Sequence, residues 1–284
     1  MIPKQRGYIR KVATPCLGLT AAVALLLCPA TLVGGDVANA VREGGTMTVG
    51  VRGDYPPFST ATGEGEDITF SGFDVDIARG VAERIGAEVK FMVVGPEETI
   101  PLVAEGIVQA APGLRHRLSW ERVIDFSVTY FMGGTRALVL SASGIDRLSS
   151  LKRRPIAVVA GTDDDEIIQR LPDAKIVSVD SPGAGLLLLQ DRQVSALIGD
   201  ANDLLNLMAL SERPERLRIV NDAVMTVPVA LGLPPDDGTW REAVDRALIE
   251  LWASGEFQKI YERWFGKRSR TPFPLTFTME IWPN

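Results

Sequence analysis

From residue 46 onward the chain alternates strand-like and helix-like segments, and this constrains the fold more than any other feature. Met47-Thr-Val-Gly-Val51 alternates as a strand and stops at Arg52-Gly53-Asp54. Residues 73–85 read as an amphipathic helix, with Ile77, Val81 and Ile85 on one face, Ala78 and Ala82 beside them, and Gly86 as the stop. Asp74 and Asp76 fall in its first turn, where interaction with the helix dipole accounts for both. Strands over 88–94 and 108–111 flank a short helix over 100–105. A second set begins near Thr135: strands over 136–140, 155–160, 175–179 and 194–198, a short turn or helix over 148–152, and helices over 164–171 and 183–190. Segments 201–210 and 217–220, a strand over 227–233 and helices over 239–253 and 257–265 complete the chain. The pattern implies α/β architecture with largely parallel sheets.

The first forty residues read as a cleaved export signal. Lys4, Arg6, Arg10 and Lys11 form a basic start, residues 17–27 are apolar, and Ala38-Asn39-Ala40 gives a small-x-small cleavage pattern. Pro29, Gly34, Gly35 and Asp36 interrupt the apolar run before it reaches spanning length. Leu27 precedes Cys28 where a lipoprotein signal carries a small residue, which argues against lipidation. Both cysteines, Cys16 and Cys28, lie in this leader, so no disulfide or thiolate chemistry is expected in the mature chain. Its removal takes the net charge from −6 to −9, which argues against nucleic acid or anionic membrane as the main partner and suits a protein outside the cytoplasm.

Three ordered blocks carry a resemblance: Tyr55-Pro-Pro-Phe58, Ser71-Gly-Phe-Asp-Val-Asp-Ile-Ala78, and Phe257-Gln-Lys-Ile-Tyr-Glu-Arg-Trp-Phe-Gly266. Together the chain resembles the polar amino-acid solute-binding proteins that deliver ligands to ABC importers. The resemblance implies a periplasmic-binding-protein fold, two α/β lobes joined by two hinge strands with a ligand cleft between them. Lobe 1 would comprise 41–133 and 226–284, and lobe 2 would be 134–225. The crossings would lie near Phe131-Met-Gly-Gly134 and Val224-Met-Thr-Val227, where glycines at the first absorb the dihedral change of closure. It further implies a periplasmic monomer whose partners are an amino-acid or carboxylate ligand and a membrane permease.

Four loops at strand ends are the places for a ligand. In the first, Arg52 to Phe58, the resembled family lays the aromatic, here Tyr55, along the ligand's aliphatic part. Arg52 sits where members vary with ligand charge; pairing with a ligand side-chain carboxylate and simple solvation are both open. In the second, Gly113 to Arg122, the family's Gly-x-Thr-x-Thr-x-x-Arg grips the α-carboxylate. Here Arg115 and Arg117 replace the hydroxyls and Trp120 replaces the arginine, so Arg115 or Arg117 is the candidate cation, against a plain basic surface loop. In the third, Gly161 and Thr162 match the family's carboxylate-binding loop, with Asp163 turned outward as a helix cap. In the fourth, Asp200 matches the aspartate that binds the α-ammonium, with N-capping of the next helix as the alternative.

The chain is therefore expected to be a binding protein without catalytic residues, cofactor or metal. His116 is the single histidine, so transition-metal ligands are lacking, and it is at most a neighbour of the site. No Gly-x-Ser-x-Gly elbow or phosphate loop is present. Two alternatives share the fold: a periplasmic dehydratase acting on cyclohexadienyl acids, and a ligand-sensing partner of a membrane receptor. The added arginines tilt the expected ligand towards an acidic amino acid or another multi-carboxylate.

Overall fold

The computed structural model describes residues 36–160, 167 and 169–279. Residues 1–35 with both cysteines, Gly161, Thr162, Asp163 and most of the expected 164–171 helix lie outside the described residues. The described chain opens with helix α1 (Asp36–Gly44), whose Ala38 and Val41 are buried. The backbone N–H groups of Val37 and Ala38 donate to Asp237 Oδ2 at 2.9 and 3.2 Å. The cleavage point expected after Ala40 thus falls within a helix.

Strand β1 (Thr46–Val51) leads into a small antiparallel sheet of β2 (Asp54–Tyr55), β3 (Ser59–Thr62) and β4 (Thr69–Ser71), which lacks a sequence alternation that would announce it. Helix α2 (Phe73–Ile85) follows and returns the chain to β5 (Glu88–Val93), which pairs in parallel with β1, Met47 opposite Val89. Of the expected apolar face, Ile77, Ala78, Val81 and Ala82 are buried and Ile85 is half-buried, Phe73 is buried as well, and Gly86 ends the helix in the left-handed region at φ 82°. After α3 (Thr99–Ala104), strand β6 spans Ala111–Arg115. The strand is displaced towards the C-terminus from the expected 108–111, because Leu114 and Arg115 find partners in a distant strand, a tertiary choice that local pattern does not encode.

That partner belongs to an eight-stranded sheet. Its members are β6, β7 (Asp125–Phe126), β8 (Phe131–Leu140), β9 (Pro155–Val159), β10 (Lys175–Val179), β11 (Ala196–Asp200), β12 (Leu217–Ile219) and β13 (Met225–Leu233). The order is β10-β9-β11-β8-β13-β6, with β12 on β8 and β7 on β13. The first half of β8 pairs with β13, from Phe131 opposite Val229 to Thr135 opposite Met225. Its second half pairs with β11 and β12. These two long strands join two α/β lobes. Gly134 sits where the pairing changes hands, at φ 103°, and a Cβ there would run into the Met225 carbonyl.

Helices α4 (Pro182–Gln190) and α5 (Ala201–Leu210) cover one lobe; α6 (Gly238–Ala253) and α7 (Glu256–Phe265) cover the other with α2. The three sequence blocks that carry the resemblance converge in one aromatic cluster. Phe73 lies 5.0 Å from Phe265 and 5.9 Å from Phe131, and Phe58 packs at 5.5 Å edge-on to Phe131. Burying rings of this size contributes about 2–3 kcal/mol each, so these blocks build the core of the first lobe beside the joining strands.

Candidate functional site

A cavity of about 520 Å³ opens between the strand ends of the two lobes, within the range of small-molecule sites. Arg52, Tyr55, Arg115, Arg117 and Asp200 all line it, so five of the seven residues singled out from the sequence converge there. Gly161 and Thr162 lie outside the described residues.

Tyr55 closes one side. Its hydroxyl donates to Asp203 Oδ1 at 2.6 Å across the cleft, and the Arg52 guanidinium lies 4.0 Å from its ring centroid. Burial, then the Asp203 charge, pushes the phenol far above its ordinary value, so it stays a donor. Arg52 also reaches the exposed Asp54 at 3.3 Å. Asn206 Nδ2 donates to the Pro56 carbonyl at 2.8 Å, giving the 52–58 loop a second tie to α5.

Arg115 ends β6 rather than standing in a loop, and its guanidinium pairs with Asp200 Oδ2 across the cleft. Asp200 Oδ1 accepts from the Asn202 N–H at 2.9 Å and so caps α5. Asp200 therefore caps a helix, the alternative that its sequence offered, and also lines the cavity. Burial raises its pKa, while Arg115 and the Asn202 N–H pull it back down. Arg117 stacks 5.3 Å from the Trp120 ring and meets no carboxylate among the described residues. Trp120 lines the cavity and packs on the apolar cluster of Val103 and Ile124, covering it. His116 is not part of the cavity wall; its Nε2 lies 2.6 Å from Glu121 Oε1 and its ring stacks on Phe126 at 4.5 Å. Among the described residues no group of His, Cys, Asp and Glu is arranged to hold a metal ion.

Sequence reasoning missed Asp74, Asn202 and Asp203. Asp74 is more than a dipole partner: it is buried, lines the cavity, and its Oδ1 accepts from the Tyr130 hydroxyl at 2.7 Å. Burial pushes its pKa up to about 7, and the Tyr130 hydrogen bond only partly opposes this. Asp76, by contrast, faces outward to Arg263 Nη1 and Trp264 Nε1 at 2.8 and 2.9 Å. Among the described residues Asn202 Oδ1 has no hydrogen-bond partner; it is buried beside Gly133, on a residue that lines the cavity. Its spacing, two residues after Asp200, was the available signal.

This fold and cavity place the protein in a known class. The chain belongs to the bacterial extracellular solute-binding proteins, family 3, which its residues 47–267 match. Family members bind amino-acid ligands and deliver them to ABC transporter permeases. The chain is 28% identical over 268 residues to the L-glutamate/L-aspartate-binding protein of Pseudomonas aeruginosa, covering 88% of this chain and 87% of that protein. It is 23% identical over 287 residues to the glutamate/aspartate import solute-binding protein of Escherichia coli K12, covering 96% and 94%. Among solved structures it is similar, at TM-score 0.57 and 24% identity, to the ancestral amino acid-binding protein AncCDT-1, a precursor of cyclohexadienyl dehydratase, covering 80% of this chain and 98% of that one.

Proposed function

We propose that this protein captures an acidic amino acid, L-glutamate or L-aspartate, for an ABC importer. One observation carries the reading: the two walls of the cavity bear opposite charge. Arg52, Arg115 and Arg117 stand on the wall from β1 and β6, facing Asp200 and Asp203 on the wall from β11 and α5. An α-ammonium takes Asp200 in exchange for the Arg115 guanidinium. Arg115, released, turns to the α-carboxylate, and Arg117 meets the side-chain carboxylate. Tyr55 packs along the aliphatic carbons. Gly161 and Thr162, which match the family's carboxylate-binding loop in sequence, are further contacts to the α-carboxylate in this reading. The two named relatives for glutamate and aspartate support this class of ligand.

Closure then moves lobe 1 (41–133 and 226–284) against lobe 2 (134–225), with the bend near residues 131–134 and 224–227. The closed monomer is what a membrane permease reads. A basic and apolar leader over 1–40 supports export to the periplasm, and mass spectrometry of the exported protein locates the cut relative to α1. Calorimetric titration with a panel of amino acids tests the ligand. Glutamate or aspartate binding with micromolar affinity, about −8 kcal/mol, is expected; binding confined to arginine or glutamine would refute the acidic assignment.

A second reading has one observation behind it. A buried carboxyl with a pKa of about 7 in a cavity wall is suited to general-acid chemistry. Incubation with prephenate or arogenate, read by product absorbance, distinguishes a dehydratase from a binding protein; we expect no product.

A further inference from the structure

We propose that Asp74 is a ligand-binding residue that acts as a neutral carboxylic acid, donating a hydrogen bond from Oδ2 to a carboxylate of the bound amino acid, so that ligand capture is coupled to uptake of a proton. The proposal rests on the acidic-ligand reading above and adds a residue and a linkage to it.

The orientation of the hydrogen bonds fixes which carboxyl oxygen is available. The Gly113 N–H donates to the Tyr130 hydroxyl oxygen at 2.6 Å. That hydroxyl has one proton, and it goes to Asp74 Oδ1 at 2.7 Å. Oδ1 is therefore an acceptor, and any proton on the carboxyl resides on Oδ2. Oδ2 lies against Gly113, where an added Cβ would approach to 3.2 Å, and both residues line the cavity. A carboxylic acid held this way presents its O–H to the cavity beside the cationic groups of β6 and the following loop. Ionised, the same oxygen repels a ligand carboxylate at close range.

Among the described residues no cation is paired with Asp74. Tyr130 is the titratable group in contact with it; Arg52, Tyr55, Arg115 and Arg117 line the same cavity, as do Asp200 and Asp203 from the opposite wall. Arg115 is engaged by Asp200 and Arg52 by Asp54. On the other flanks of α2, Arg84 pairs with Glu256, Asp76 with Arg263, and Asp245 accepts from the Val128 N–H. Burial consequently dominates and holds the carboxyl up to about 7, so the acid form is present at neutral pH and lost just above it. Tyr130 is pushed upward as well, by burial and by Asp74, and remains a donor over this range.

The test is calorimetric titration of the purified protein with L-glutamate from pH 5.5 to 8.5, where the ligand's own carboxylates and ammonium keep their charges. If only the acid form binds, the competent fraction at pH 8.5 is about one in thirty, and Kd rises about thirtyfold from its value at pH 5.5. Asp74→Asn keeps an acceptor for Tyr130 and presents N–H donors to the cavity. Whatever its affinity at pH 5.5, its Kd is expected to stay flat from there to pH 8.5, because the titrating group is gone. Independently of any variant, the binding enthalpy at pH 8 should depend on buffer ionisation enthalpy with a slope of about one proton taken up. Glutamate binding with a flat Kd and no proton uptake overturns the inference and leaves the proposed function standing. Failure of glutamate and aspartate to bind at any pH overturns both.

Discussion

The two walls of the cavity differ in charge and in construction. The wall from β1 and β6 presents Arg52, Arg115 and Arg117, each on a long side chain and drawn to a different neighbour: Asp54, Asp200 and the Trp120 ring. The opposite wall presents short carboxylates at a strand end and in the first turn of a helix, where the Asn202 N–H fixes Asp200 in place. The adaptable wall is cationic and the preorganised wall is anionic. In the proposed function, the preorganised acceptor sets the orientation of an ammonium, and the longer guanidinium side chains adjust to the carboxylates of different acids.

Removing the fixed wall should have the largest effect. Asp200→Ala removes the Arg115 partner and the proposed ammonium acceptor, so glutamate affinity measured by calorimetry should fall more than a hundredfold, about 3–5 kcal/mol. Thermal unfolding of the same variant should drop by about 1 kcal/mol for the lost cap.

Next comes the acid hidden behind the cationic wall. Folding raises the pKa of Asp74 from 3.8 to about 7. The folded state therefore holds its proton more tightly than the unfolded chain. This contribution is greatest below pH 4, declines as pH rises towards 7 and is level above it. Asp74→Asn removes that decline, so the variant's advantage in unfolding free energy should grow between pH 4 and 7, by roughly 2–4 kcal/mol. A difference that does not change with pH would contradict the assigned shift.

The flexible wall should respond unequally. Arg117→Ala should weaken glutamate about tenfold, the value of one charge-assisted contact, while leaving glutamine within about twofold on the same scale. Arg52→Ala, half-buried and already shared with the exposed Asp54, should change glutamate binding by only a few-fold, in line with about 0–1 kcal/mol for such pairs.

The same contrast explains what could be read from the sequence. Phe73–Ile85 was legible because its apolar period and Gly86 stop are local, and the packing of Phe58, Phe73 and Phe265 follows blocks that the family shares. Asp200 was legible because a strand end and a helix start coincide on it. The hairpin over 54–71 and the shifted β6 were not, since their pairing depends on partners elsewhere in the chain. Asp74 looked sufficient as a helix-start acid; only the fold brings Tyr130, 56 residues away, to its carboxyl. Tyr55 and Asp203 meet across 148 residues, a contact that no spacing rule announces.

The central claim is that opposed charged walls select an acidic amino acid. Calorimetric titration of the purified protein at pH 6 with L-glutamate, L-glutamine and L-arginine tests it most directly. The account predicts glutamate bound roughly 10- to 150-fold more tightly than glutamine, the worth of one further charge-assisted contact, with arginine weakest. Arginine or glutamine bound more tightly than glutamate would contradict it.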